Sequence, residues 1–172
     1  MRMLNKTAAL LAAICLGACV TTHPERPVAT GSETFRPGSI WRQVPAVIAL
    51  LDGTGQLTRD VHAPPRVRAG QPLMVDVTSY GGGCESQGTG QVSVEGMEAD
   101  IRVFDYTDVS PPTPGFEHVD RICTTGLKVF RKRFAVQFQR SGDALVRVHG
   151  VRRAAGQLDT TTEVLEFRVR VD

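Results

Sequence analysis

Short stretches of this chain alternate apolar and polar residues with a period of two, and after residue 20 no stretch follows the 3.6-residue period of an amphipathic helix. Successive side chains of a strand point to opposite faces, so this pattern describes strands with one buried face. Leu73, Val75 and Val77 alternate with Met74, Asp76 and Thr78. Residues 91–95 and 101–106 alternate on either side of Gly96-Met97, which predicts a β-hairpin. Phe134, Val136 and Phe138 precede a Ser141-Gly142 turn, and Val146 and Val148 follow it, predicting a second and clearer hairpin. In the last strand Leu165, Phe167, Val169 and Val171 share one face and Glu166, Arg168 and Arg170 the other.

Val44 to Leu51 forms an apolar run closed by Asp52-Gly53-Thr54-Gly55, with Gln56 to His62 as its hairpin partner. Residues 109–115 contain Pro111, Pro112 and Pro114, which deny a sheet its donors and mark a loop. Seven or eight short strands separated by turn signals predict an all-β fold. The expected architecture is an antiparallel sandwich of immunoglobulin-like type, with a small β-barrel as the alternative. The domain should occupy residues 41–172. With 41% hydrophobic and 22% charged residues the chain can fill a core, and its length suits one domain.

The amino-terminal segment has a different character. Arg2 and Lys6 are followed by a twelve-residue apolar run, Thr7 to Ala18, which matches the n-region and h-region of a secretory signal. A membrane-spanning helix needs about 20 apolar residues, so this run is too short to remain as an anchor. It ends Leu16-Gly17-Ala18-Cys19, which resembles the lipobox of bacterial lipoproteins. That resemblance implies cleavage after residue 18 and acylation of Cys19, which would tie the protein to membrane lipid. Residue 20 is Val rather than Asp, which by the same resemblance favours the outer membrane of a Gram-negative host. Residues 19–40 are rich in Thr, Pro, Gly and Ser and read as the lipidated start of a flexible tether, with His23 belonging to it.

Removal of residues 1–18 takes away two basic residues and no acid, so the 20 basic and 18 acidic residues of the whole chain come into balance. The excess charge therefore argues for no nucleic-acid partner. Cys15 lies in the h-region and Cys19 is the acylation site, which leaves Cys84 and Cys123 to pair. In an oxidising compartment the simplest outcome is a disulfide, placed at an end of the sandwich where it ties two loops. An alternative makes Cys84, Cys123 and His118 ligands of copper or zinc; an oxidised pair supplies no thiolates, so neither a metal nor another cofactor is expected.

Two further stretches, VRAGQPLMVDVTSYGGGC and FAVQFQRSGDALVRVHG, resemble the small immunoglobulin-like domains of bacterial envelope lipoproteins over residues 60–172. The resemblance implies a fold and an envelope address. That family carries no common activity.

The motifs of serine hydrolases, phosphate-binding loops, dinucleotide folds and zinc peptidases do not occur. Glu117, His118 and Asp120 form the one tight cluster of acids and imidazole, in the loop before Cys123. Lys128, Arg131, Lys132 and Arg133 make the densest basic run, with Arg147, Arg152 and Arg153 expected on the neighbouring strand. Lys128, Arg131 and Arg133 are thus candidates for a cationic binding face. The expected function is a lipid-anchored, non-catalytic accessory module that binds an envelope protein. One alternative is an inhibitor acting through its end loops, and another is a ligand carrier or enzyme built on residues 117–123.

Overall fold

The computed structural model describes residues 39–111, residue 123 and residues 126–172. Among these the chain forms twelve strands and no helix. The first half contains β1 (Trp41–Pro45), β2 (Val47–Leu51), β3 (Leu57–Arg59), β4 (Val61–His62), β5 (Arg66–Val67) and β6 (Pro72–Gly81). The second half contains β7 (Glu85–Ser86), β8 (Gly90–Glu95), β9 (Glu98–Asp108), β10 (Lys128–Gln137), β11 (Gly142–Ala154) and β12 (Thr160–Val171). Eight of the twelve run five residues or more; alternation marks the longer ones, while β1 and β2 share the region read as a single apolar run. The all-β class expected from the sequence holds.

The long strands fall into two groups. β6 and β10 pair along their whole lengths, from Pro72↔Gln137 to Gly81↔Lys128. β11 pairs with β12 on one edge and with β9 on the other, and β8 closes onto β9 through the Gly96-Met97 turn. β2 joins the groups, pairing with β11 and, through Val47↔Tyr80, with β6. The inner faces of both groups meet in one core. Leu73, Val75 and Val77 come from β6, and Phe134 and Val136 from β10. Against them pack Ala99 and Ile101 from β9, Val146 and Val148 from β11, and Val169 and Val171 from β12.

Three features depart from the sequence reading. The pairings of β11 with β9, β11 with β2 and β12 with β5 are parallel, so the sheet is mixed. The apolar run from Val44 to Leu51 is divided at Ala46. Before that residue the chain pairs with β9 and after it with β11, and Ala46 itself donates to Val103 O and accepts from Val151 N, both at 2.9 Å. The third departure concerns Ser141-Gly142, which does not close a hairpin. β10 pairs with β6 and β11 with β12 and β9, so this connection carries the chain from one layer to the other. Phe138, fully buried just after β10, fills the core at the crossing.

Candidate functional site

The inward series of three strands each include one polar residue near the same end of the core. In β6 the series is Leu73, Val75, Val77, Ser79; in β9 it is Ala99, Ile101, Val103, Asp105; in β10 it is Phe130, Lys132, Phe134, Val136. Period two leaves these residues no way outward, and they satisfy one another instead. Lys132 Nζ lies 2.6 Å from Asp105 Oδ1 and donates to Ser79 Oγ at 2.5 Å. Ser79 Oγ donates to Asp105 Oδ2 at 2.8 Å. The backbone N–H of Gly88 donates to Asp105 Oδ1 at 3.0 Å.

The cluster is closed to solvent: the side chains of Lys132 and Asp105 are 4% and 5% exposed, and Ser79 is 0% exposed. Burial pushes the Lys132 ammonium below its ordinary pKa, and Asp105 opposes that by its charge and its hydrogen bond. The Phe130 ring centroid stands 5.5 Å from Nζ, adding a cation–π contact in a dry site. Removing one partner of such a buried pair costs about 3–5 kcal/mol, because the other charge is left without compensation.

Lys132 therefore leaves the basic face in which the sequence appeared to place it. The remaining cations do not line one two-stranded face either, because β10 neighbours β6 and not β11; Lys128 and Arg153 meet only through Glu85. Arg133 forks onto Asp76, at 2.6 Å and 3.0 Å. Arg147 is held between Glu98 and Glu166. Arg153 chelates Glu85 through Nη2 at 2.8 Å and Nη1 at 3.2 Å, and Lys128 Nζ donates to Glu85 O. Arg131 is exposed, and its carbonyl accepts from Gln87 Nε2 at 3.0 Å.

An open cleft of about 540 Å³ borders the cluster, with Gly88 and the largely buried Lys132 in its wall beside Asp60, His62, Gln87 and Arg131. Its acids, imidazole and guanidinium give it mixed charge. Cys84 and Cys123 stand at bonding distance, with Cα atoms 5.1 Å apart, and the turn that carries Cys84 follows directly on β6. Glu117, His118, Asp120 and Cys19 lie outside the described residues. Among the described residues no group of acids, histidines and cysteines has the arrangement of a metal site.

Ser79, Asp105 and Lys132 did not stand out in the sequence as a constellation. The available signal was phase: each occupies an apolar position of an alternating strand. Comparison with protein-family models, with curated proteins and with solved structures finds no match.

Proposed function

We propose that this chain is a lipid-anchored, non-catalytic accessory protein of the bacterial envelope, held through acylated Cys19 and binding an envelope protein. The observation that carries the reading is the sequence Leu16-Gly17-Ala18-Cys19 at the end of a charged start and a short apolar run. An outer-membrane address, facing the periplasm, follows from Val20 in a Gram-negative host. Among the described residues no helix is long and apolar enough to cross a membrane.

The core cluster does not add a catalytic alternative to this reading. Ser79 beside Lys132 has the composition of a serine–lysine dyad, yet a nucleophile with no exposed surface meets no substrate. The surface suited to recognition is the cleft at β4, β8 and β10. Its volume lies within the range of about 300–1,000 Å³ usual for binding clefts. Its wall offers the exposed Arg131 for an acidic group, while Asp60 is engaged by His62 and Thr78.

Cross-linking in living cells, followed by purification of the full-length protein from membranes, tests both halves of the proposal. The native protein should fractionate with membranes and carry one partner in comparable amount. Cys19→Ser should lose the membrane fraction, and Arg131→Glu should lose the partner while remaining in the membrane. A native protein found wholly in the soluble fraction would refute the anchor. Recovery of the same proteins with and without the cleft substitution would refute the cleft as the binding surface.

A further inference from the structure

We propose that Lys132 and Asp105 are joined by a covalent amide bond, an intramolecular cross-link between β10 and β9 made inside the folded core. The starting groups are already in place, with Nζ 2.6 Å from Oδ1 and both side chains shielded from water.

The hydrogen bonds supply a route for the protons. Lys132 donates to Ser79 Oγ, and Ser79 donates onward to Asp105 Oδ2. A concerted shift along that path moves one proton from Nζ to Ser79 and one from Ser79 to Oδ2. The products are a neutral amine and a neutral carboxylic acid whose hydroxyl is at Oδ2. Burial already disfavours the charged form of the Lys132 amine.

The Nζ lone pair then attacks Cγ of Asp105, forming the C–N bond and moving the C=O π electrons onto Oδ1. The N–H of Gly88, 3.0 Å from Oδ1, is positioned to stabilise the developing oxyanion. As the carbonyl re-forms, the Cγ–Oδ2 bond breaks. The departing hydroxide takes a proton from Nζ and leaves as water. An ammonium and a carboxylate become a secondary amide and one water molecule, with no oxidant, reductant or further reactant. Holding amine and acid in fixed contact supplies effective concentrations of about 10⁵ M or more. Exclusion of bulk water disfavours the reverse hydrolysis.

Ser79 is here a positioning residue and proton relay. The chemistry also accounts for the tight packing around Gly88, where an added Cβ would stand 2.4 Å from Phe104 O and 2.6 Å from Asp105 Cα. Glycine lets the backbone N–H reach Oδ1.

Tryptic peptide mapping of the full-length protein, reduced and denatured before digestion, reads the bond directly. An unmodified chain is cut after Lys132 and yields the linear peptide of residues 103–121. A cross-linked chain resists cleavage at Lys132. Residues 103–121 then appear as a branched species carrying Lys132-Arg133, lighter than the two parts together by one water. The branched peptide is expected from native protein, and the linear one from Lys132→Arg. Ser79→Ala should slow the conversion of newly made protein from linear to branched form. Native protein giving only the linear peptide, with normal cleavage at Lys132, would overturn the proposal whatever the variants do.

Discussion

Glu85 shows how one side chain can link several parts of the fold. Burial alone would raise its pKa, but hydrogen bonds from Arg153 and the Gly82 N–H, with the charges of Arg153 and Lys128, outweigh that and hold the carboxyl below its ordinary 4.5. A group whose folded pKa is depressed contributes stability above its unfolded pKa and loses it as pH falls through the folded value. Glu85→Gln should therefore destabilise the domain by about 2 kcal/mol near neutral pH, the range for hydrogen bonds to a charged group. The deficit relative to native protein should shrink as pH falls below 4.5 and through the lowered folded value. Urea midpoints at pH 7 and pH 3 check it, and an equal deficit at both pH values would contradict the assignment. Gly150 makes a second residue-scale test. An added Cβ would stand 2.6 Å from Ala46 O and 2.8 Å from Ile48 Cγ2, where the chain passes from β1 to β2. Gly150→Ala should cost about 1–3 kcal/mol through overpacking, read as a lower thermal midpoint.

The strands show why some elements were legible in the sequence and others were not. The β8–β9 hairpin was legible because its turn is local: Gly96 takes a φ of +60°, which favours glycine, and both flanking strands alternate. The terminal strand was legible for the same reason, with Val169 and Val171 fully inside. Ser141-Gly142 carries similar turn chemistry but serves a crossing between layers. Alternation states which face of a strand is buried and not which strand lies beside it. The parallel pairing of β11 with β9 joins segments about 47 residues apart in sequence, a distance no local signal spans. Lys132 was misread on similar grounds: four basic residues in a six-residue stretch look like a surface, while the register with Val77 fixes Lys132 on the inner face. If β10 turns inward at its end as described, Phe138→Ala removes a fully buried ring where the layers meet. The expected cost is about 3–5 kcal/mol. A hairpin with Phe138 at an open turn would lose far less, so the denaturant midpoint separates the two arrangements.

At the scale of the whole molecule, the long-range ties concentrate at one end of the core. The Cys84–Cys123 pair spans 39 residues, and the segment it closes contains all of β7, β8 and β9. Lys132, Asp105 and Ser79 sit at the same end, joining β10, β9 and β6. β9 is therefore held from both sides, by its ladders and by contacts beyond them. Its partners change along its length, from β8 and β11 to β7 and β1, so no single ladder fixes it throughout. A cross-link acts on such an arrangement chiefly by restricting the unfolded chain. Closing a loop of this length stabilises the fold by about 4 kcal/mol in the chain-entropy treatment. Replacing both cysteines by Ala should lower the urea midpoint accordingly. It should also steepen the dependence on denaturant, because an unfolded chain without the tie exposes more surface. A double variant with native midpoint and slope would mean that the cysteines do not constrain the unfolded chain, and the ladders around β9 would then have to hold that end of the core without them.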